Sequence, residues 1–214
     1  MAMAMLESAV VIYLRELLYP NGFQFPMVSM RPIVILTELA RELATIVMLW
    51  TISYIAGRNF STRFAWFLIG FAIWDIFYYV FLYLFIQWPA SFFEWDILFL
   101  IPLPWYGPVI SPVIISLCMI LLGYYLLKFD ALNINIKYPL KHLIPILLGC
   151  GITLWTYMGD FIMTLNHSQQ SNISTQIILH SQEFVPTVYP YFLFLISIGL
   201  IGFGIIGLVK EQKY

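Results

Sequence analysis

The sequence predicts an all-α fold, a polytopic membrane helical bundle of five transmembrane helices with an N-terminal interfacial helix and one re-entrant or interfacial segment. Three observations carry this. Of the 214 residues, 62% are hydrophobic and 10% charged, with a mean hydropathy of +0.89, far from the ~25% charge of a soluble domain. Apolar stretches recur that reach the ~20 residues a helix needs to cross a bilayer. Lysine and arginine fall in alternate connections, the pattern left by repeated crossing. A chain of this length spends itself on the crossings, so a single transmembrane domain, 1–214, is expected, with no separate catalytic domain. The net charge of −1 offers no basic face to nucleic acid. The partner that the composition demands is the lipid bilayer, read as a cell's inner (cytoplasmic) membrane.

Residues 6–19 place Leu6, Val10, Tyr13, Leu14, Leu17 and Leu18 mainly on one helical face, with Glu7, Arg15 and Glu16 elsewhere. The segment is too short to span and suits the interface or the flank of the bundle. Pro20, Asn21 and Gly22 end it, and Pro26 and Pro32 lead into the first span, 33–56. The remaining spans are expected at 64–88, 108–127, 143–165 and 188–209. Between the second and third, 89–107 has an apolar core, Ile97–Ile101, too short to cross, and it must satisfy its backbone against the bundle. Gly149, Gly151 and Gly159 in the fourth span permit close helix approach. Gly199, Gly202, Gly204 and Gly207 give the fifth a packing face that also suits a homo-oligomer or a larger membrane complex. Cys118 and Cys150 lie in spans without CxxC or metal spacing and read as small apolar residues.

Arg58 and Arg63, then Lys128, Lys137 and Lys141, then Lys210 and Lys213 occupy alternate connections, while 89–107 and 166–186 contain neither lysine nor arginine. This orients the N-terminus outside and the C-terminus in the cytoplasm. Seven of the eleven acids then fall in the outer half: Glu38, Glu42, Asp75, Glu94, Asp96, Asp160 and Glu183. Arg41 is the nearby cation. In the first span Glu38, Arg41 and Glu42 share one face at i, i+3 and i+4. Asp75 lies deepest, followed at helical spacing by Tyr78, Tyr79 and Tyr83, and Arg41 is its expected partner.

The stretch Phe71–Pro112 concentrates this chemistry, with four of the seven tryptophans and five of the twelve prolines. Its Trp88, Trp95 and Trp105 read as interfacial anchors. The pieces ELARELATIVML (38–49), WDIFYY (74–79) and WPASFFEWDILFLIPLPWYGPVISP (88–112) resemble a recurrent pattern in small bacterial integral membrane proteins of no known activity. The resemblance covers roughly the first half of the chain. It implies that these segments belong together and brings no mechanism.

No HExxH, paired ExxH, GxSxG, SxxK, phosphate loop or dinucleotide fingerprint occurs. No cofactor is evident from any motif; a divalent metal is the one the acids admit, with Glu38, Glu42 and Asp75 as weak ligands, while His167 and His180 read as loop histidines. The binding candidates are Glu38, Arg41, Glu42, Asp75, Tyr78, Tyr79 and Asp96, since ionisable groups in a bilayer are costly and tend to mark ion or proton sites. The sequence leans to ion- or proton-linked binding or transport of a small solute. The alternatives are an intramembrane enzyme acting on a lipid or lipid-linked substrate with paired carboxylates, and a non-catalytic subunit or assembly factor of a membrane complex.

Overall fold

A computed structural model describes residues 1–165, 177, 180, 181 and 183–212. The elements, in order, are α1 (Ala2–Leu18), α2 (Pro32–Ala56), α3 (Phe60–Ile86), β1 (Trp95–Phe99), β2 (Trp105–Pro108), α4 (Ile110–Ala131), α5 (Leu140–Leu165) and α6 (Tyr191–Glu211). Among the described residues four helices, α3 to α6, are long and apolar enough to cross a membrane. The 25 residues of α2 are also long enough at 1.5 Å each, but its first half carries Glu38, Arg41 and Glu42. Most of the 166–186 connection, with His167, lies outside the described residues.

Local chemistry sets the helix ends. Pro32 opens α2 behind the extended Arg31, where its missing N–H costs nothing. Asn59 and Thr62 form a reciprocal capping box at the start of α3. Gln87 closes that helix in the left-handed region, φ 54°. The helices form a chain of neighbours: α1 and α2 both pack on α3, α3 on α4, α4 on α6, and α6 on α5.

The glycines divide by role. A Cβ at Gly204 would come within 2.6 Å of the His142 carbonyl, and one at Gly149 within 2.7 Å of the Ser197 carbonyl, so α5 and α6 approach where only glycine fits. Beside this contact Thr153 donates to Ser197 at 2.9 Å. A Cβ at Gly151, Gly199 or Gly202 would meet nothing, so only part of the expected small-residue face is used within the chain. Gly159, expected to permit helix approach, instead lies against the Trp155 ring of its own helix.

One expectation is corrected. The segment 89–107 holds an antiparallel hairpin, Asp96 opposite Gly107 and Ile97 opposite Tyr106, so the fold is not purely helical. Pro89, Pro102 and Pro104 bracket a run too short to nucleate a helix, and pairing with a second strand satisfies its backbone. In α1 the apolar residues divide: Leu6, Tyr13 and Leu17 are 67–79% exposed, Leu14 and Leu18 turn towards the interior, and Glu7, Ser8 and Arg15 are buried. In lipid the apolar side is the one that faces the solvent. The small residues Ala4 and Ser8, both 0% exposed, let α1 lie close on α3, and Ser8 donates to the Tyr78 carbonyl at 3.1 Å.

The bundle has two chemically distinct ends. At one, Asn59 bonds Asp130 at 2.7 Å, Ser61 bonds Tyr138 at 2.6 Å, Lys137 N–H donates to Gln212 at 2.9 Å and Lys141 pairs with Glu211 at 2.7 Å. These contacts gather the three basic connections. At the other end, the hairpin, the 19–30 link, the end of α5 and Phe184 meet through the aromatic ring of Tyr106, against Phe25, Phe161 and Phe184.

Candidate functional site

The hairpin end of the bundle holds a cavity of about 140 Å³ between α1, α2, α3 and β1. All seven sequence candidates line it: Glu38, Arg41 and Glu42 from α2, Asp75, Tyr78 and Tyr79 from α3, and Asp96 from β1. Two further charged residues, Glu7 and Arg15, come from α1. The sequence offered a signal for them. Glu7, Val11, Leu14, Arg15 and Leu18 recur at i, i+4, i+7, i+8 and i+11, one helical face, and all five line the cavity.

The charge pairing differs from the expected one. Arg41 donates to Glu38 Oε2 at 2.9 and 2.7 Å through Nε and Nη2, and its Nη1 contacts Glu7. Asp75 instead accepts from Ser116 of α4 at 2.8 Å. The reason is reach: Arg41 is held by the i, i+3 carboxylate of its own helix and by Glu7 of α1. Asp96 pairs with Arg15 at 3.1 Å. Glu42 accepts the backbone N–H of Leu100 at 2.9 Å, which caps the end of the hairpin with a side chain from α2.

Arg15 is fixed on three sides. Beyond Asp96, its guanidinium stacks over the Trp88 ring at 3.6 Å and lies 4.7 Å from that of Phe23, a desolvated cation–π arrangement. Trp88 therefore packs against a residue of the cavity wall. Trp95 packs edge-on to Tyr189, at 5.9 Å between ring centres, and Trp105 stacks on Tyr157 at 6.0 Å. The three expected interfacial anchors each have partners within the protein.

Asp96 is 2% exposed. Burial pushes its carboxyl up to about 6, against the pull of Arg15. Burial likewise raises the phenols of Tyr19 and Tyr106. Asp75 and Tyr78 lie deep in the bundle yet remain half-buried, so the surface they expose belongs to the cavity. Five carboxyls and two guanidiniums line the space. With every group ionised the wall carries three negative charges in excess, and Glu42 and Asp75 are the acids with no hydrogen-bonded cation.

Several candidates lie elsewhere. Tyr83, expected to continue the polar stripe, is 58% exposed and lines a separate apolar groove of about 530 Å³ whose other wall is Pro89–Phe92; Tyr79 borders both spaces. Asp160 is exposed beside a third cavity. His180 bonds Thr164 at 2.7 Å and rests on Phe161 and Phe184. Among the described residues no group of three or more His, Cys, Asp or Glu is placed to hold a metal ion, so Glu38, Glu42 and Asp75 share a cavity without forming a ligand set. Glu38 is committed to Arg41, and Glu42 and Asp75 each point one oxygen at a different donor.

No protein-family model, curated protein or solved structure matches this chain.

Proposed function

We propose that this protein binds a small solute in the carboxylate-lined cavity and moves it, or an ion, across the membrane in a proton- or cation-linked manner. The observation that carries the reading is the convergence of all seven candidates on one space with an excess of negative charge. A sealed bundle with every carboxyl paired to a cation would argue for a structural ion-pair network. Glu42 and Asp75 instead hold only neutral donors, Leu100 N–H and the Ser116 hydroxyl. Carboxyls so placed, in apolar surroundings beside a cavity, are the groups that exchange a proton or take up a cation.

In this reading five helices span, α2 to α6, and α1 lies in the bilayer against α3. The collected basic connections face the cytoplasm and the hairpin end faces outward, following the positive-inside rule. The hairpin then caps the outer mouth of the cavity, and a solute enters from outside between it and the α1–α2 pair. Those two helices each pack on α3 and are tied together by Glu7, which meets Arg41 and accepts from Thr45 at 3.5 Å. The tie is polar and reversible, suited to a gate.

The test is flux. Purified protein in liposomes loaded with a pH-sensitive dye is expected to give protein-dependent, pH-dependent proton or monovalent-cation flux, reduced at least tenfold by Asp75→Asn. Equal flux from wild type, variant and empty liposomes would overturn the proposal. That null outcome is the one expected of an intramembrane enzyme or a non-catalytic subunit.

A further inference from the structure

Two donors in the cavity wall are left unmatched. Arg15 is 8% exposed and Trp74 7% exposed, both line the cavity, and Arg15 Nη1 and Trp74 Nε1 have no hydrogen-bond partner. Donors this deeply buried are costly to leave unpaired, and buried polar groups are ordinarily satisfied. The same wall carries the opposite deficiency, because Asp75 and Glu42 lack a cation. A ligand that completes the wall must therefore offer an acceptor, preferably anionic, to Arg15 and Trp74, and a cationic donor to Asp75 and Glu42. Its size is bounded as well. A space of about 140 Å³ is close to the ~150 Å³ of a cavity that takes benzene, a ligand with as many heavy atoms as alanine.

We infer that the solute is a small zwitterionic amino acid, its carboxylate on the Arg15 and Trp74 N–H groups and its ammonium on Asp75 and Glu42. The arrangement is preorganised: Asp96 holds Arg15 Nη2 at 3.1 Å and the Trp88 ring fixes the guanidinium plane at 3.6 Å, so binding does not have to order that side chain. Discrimination follows from the pairing of demands. An amine alone leaves the two donors orphaned, and a carboxylate alone meets an excess of negative charge. Trp74, Tyr78 and Tyr79 border the space, and a hydrogen or methyl side chain is the size expected beside them.

This identification rests on the solute-binding reading above, and its test is independent of flux. Radiolabelled L-alanine is offered to the purified full-length protein in nanodiscs, with unlabelled glycine, ethylamine and propionate as competitors. Saturable binding is expected, displaced by glycine, with ethylamine and propionate each at least tenfold weaker than alanine. Trp74→Phe, which keeps the ring and removes the donor, is expected to weaken binding about tenfold. Competition on the wild-type protein does not depend on how that variant folds. Absence of saturable alanine binding would overturn the inference, as would competition by ethylamine equal to that of alanine. Asp75-dependent proton flux without alanine binding would remove the amino acid and leave the proposed function standing. Alanine binding without flux would retain the amino-acid site and remove transport.

Discussion

Arg15 and Asp96 are both under 10% exposed, so their pairing decides more than a surface ion pair could. Removing one partner of a buried pair leaves an uncompensated charge, which costs about 3–5 kcal/mol, whereas removing both is often close to neutral. Arg15→Met is therefore expected to lower the thermal stability of the detergent-solubilised protein strongly, and Arg15→Met/Asp96→Asn to recover most of the loss. Equal stability of the single and double variants would show that the pair is not coupled. The same carboxyl gives a pH dependence with a definite sign. Its folded value is raised from 3.8 to about 6, so the folded state holds the proton more tightly than the unfolded chain. This contribution to stability is fully present below about pH 4 and is lost as pH rises through about 6. Melting temperatures measured from pH 4.5 to 7 are expected to fall with rising pH from this source, and the slope to be shallower in Asp96→Asn. An unchanged slope in that variant would rule Asp96 out as the origin.

At the scale of elements, the contact between α5 and α6 rests on positions where a side chain has no space. Gly204→Ala forces a Cβ towards the His142 carbonyl at 2.6 Å, backbone that cannot yield cheaply. A cost of about 1–3 kcal/mol is expected, typical of overpacking. Gly202→Ala, two residues away and facing open space, is expected to be neutral or to stabilise by up to about 1 kcal/mol through helix propensity. Thermal unfolding of the two variants side by side checks the contrast, and equal effects would mean that α6 packs on α5 through another face. The hairpin shows the same dependence on context. Pro89, Pro102 and Pro104 declare that no helix runs through the segment, but the pairing of Asp96 with Gly107 and the capping of Leu100 by Glu42 depend on residues distant in the chain.

At the scale of the whole molecule, the division between a basic end and a cavity end predicts sidedness. In a Cys118→Ala/Cys150→Ala background, Ser91→Cys, exposed beside the hairpin, is expected to react with a membrane-impermeant maleimide in intact cells. Arg58→Cys, exposed at the other end, is expected to react only after lysis. The reverse pattern would invert the orientation and put the mouth of the cavity in the cytoplasm.

Composition and hydropathy by themselves determined that the chain belongs in a membrane and where its long helices lie, because the ~30 Å apolar core imposes a length and a composition that are local in sequence. α2 and α5 fall within three residues of their expected limits at both ends. Four of the five acids of the site, all but Glu7, were legible for a related reason: an ionisable group is conspicuous wherever its surroundings are apolar. Their partners were not legible. Which carboxyl takes Arg41, that Ser116 rather than an arginine serves Asp75, and that α1 turns Glu7 and Arg15 inward are set by which helices pack together. Sequence spacing constrains neighbours along one helix, but it carries no record of neighbours across the bundle, and only the tertiary structure decided those.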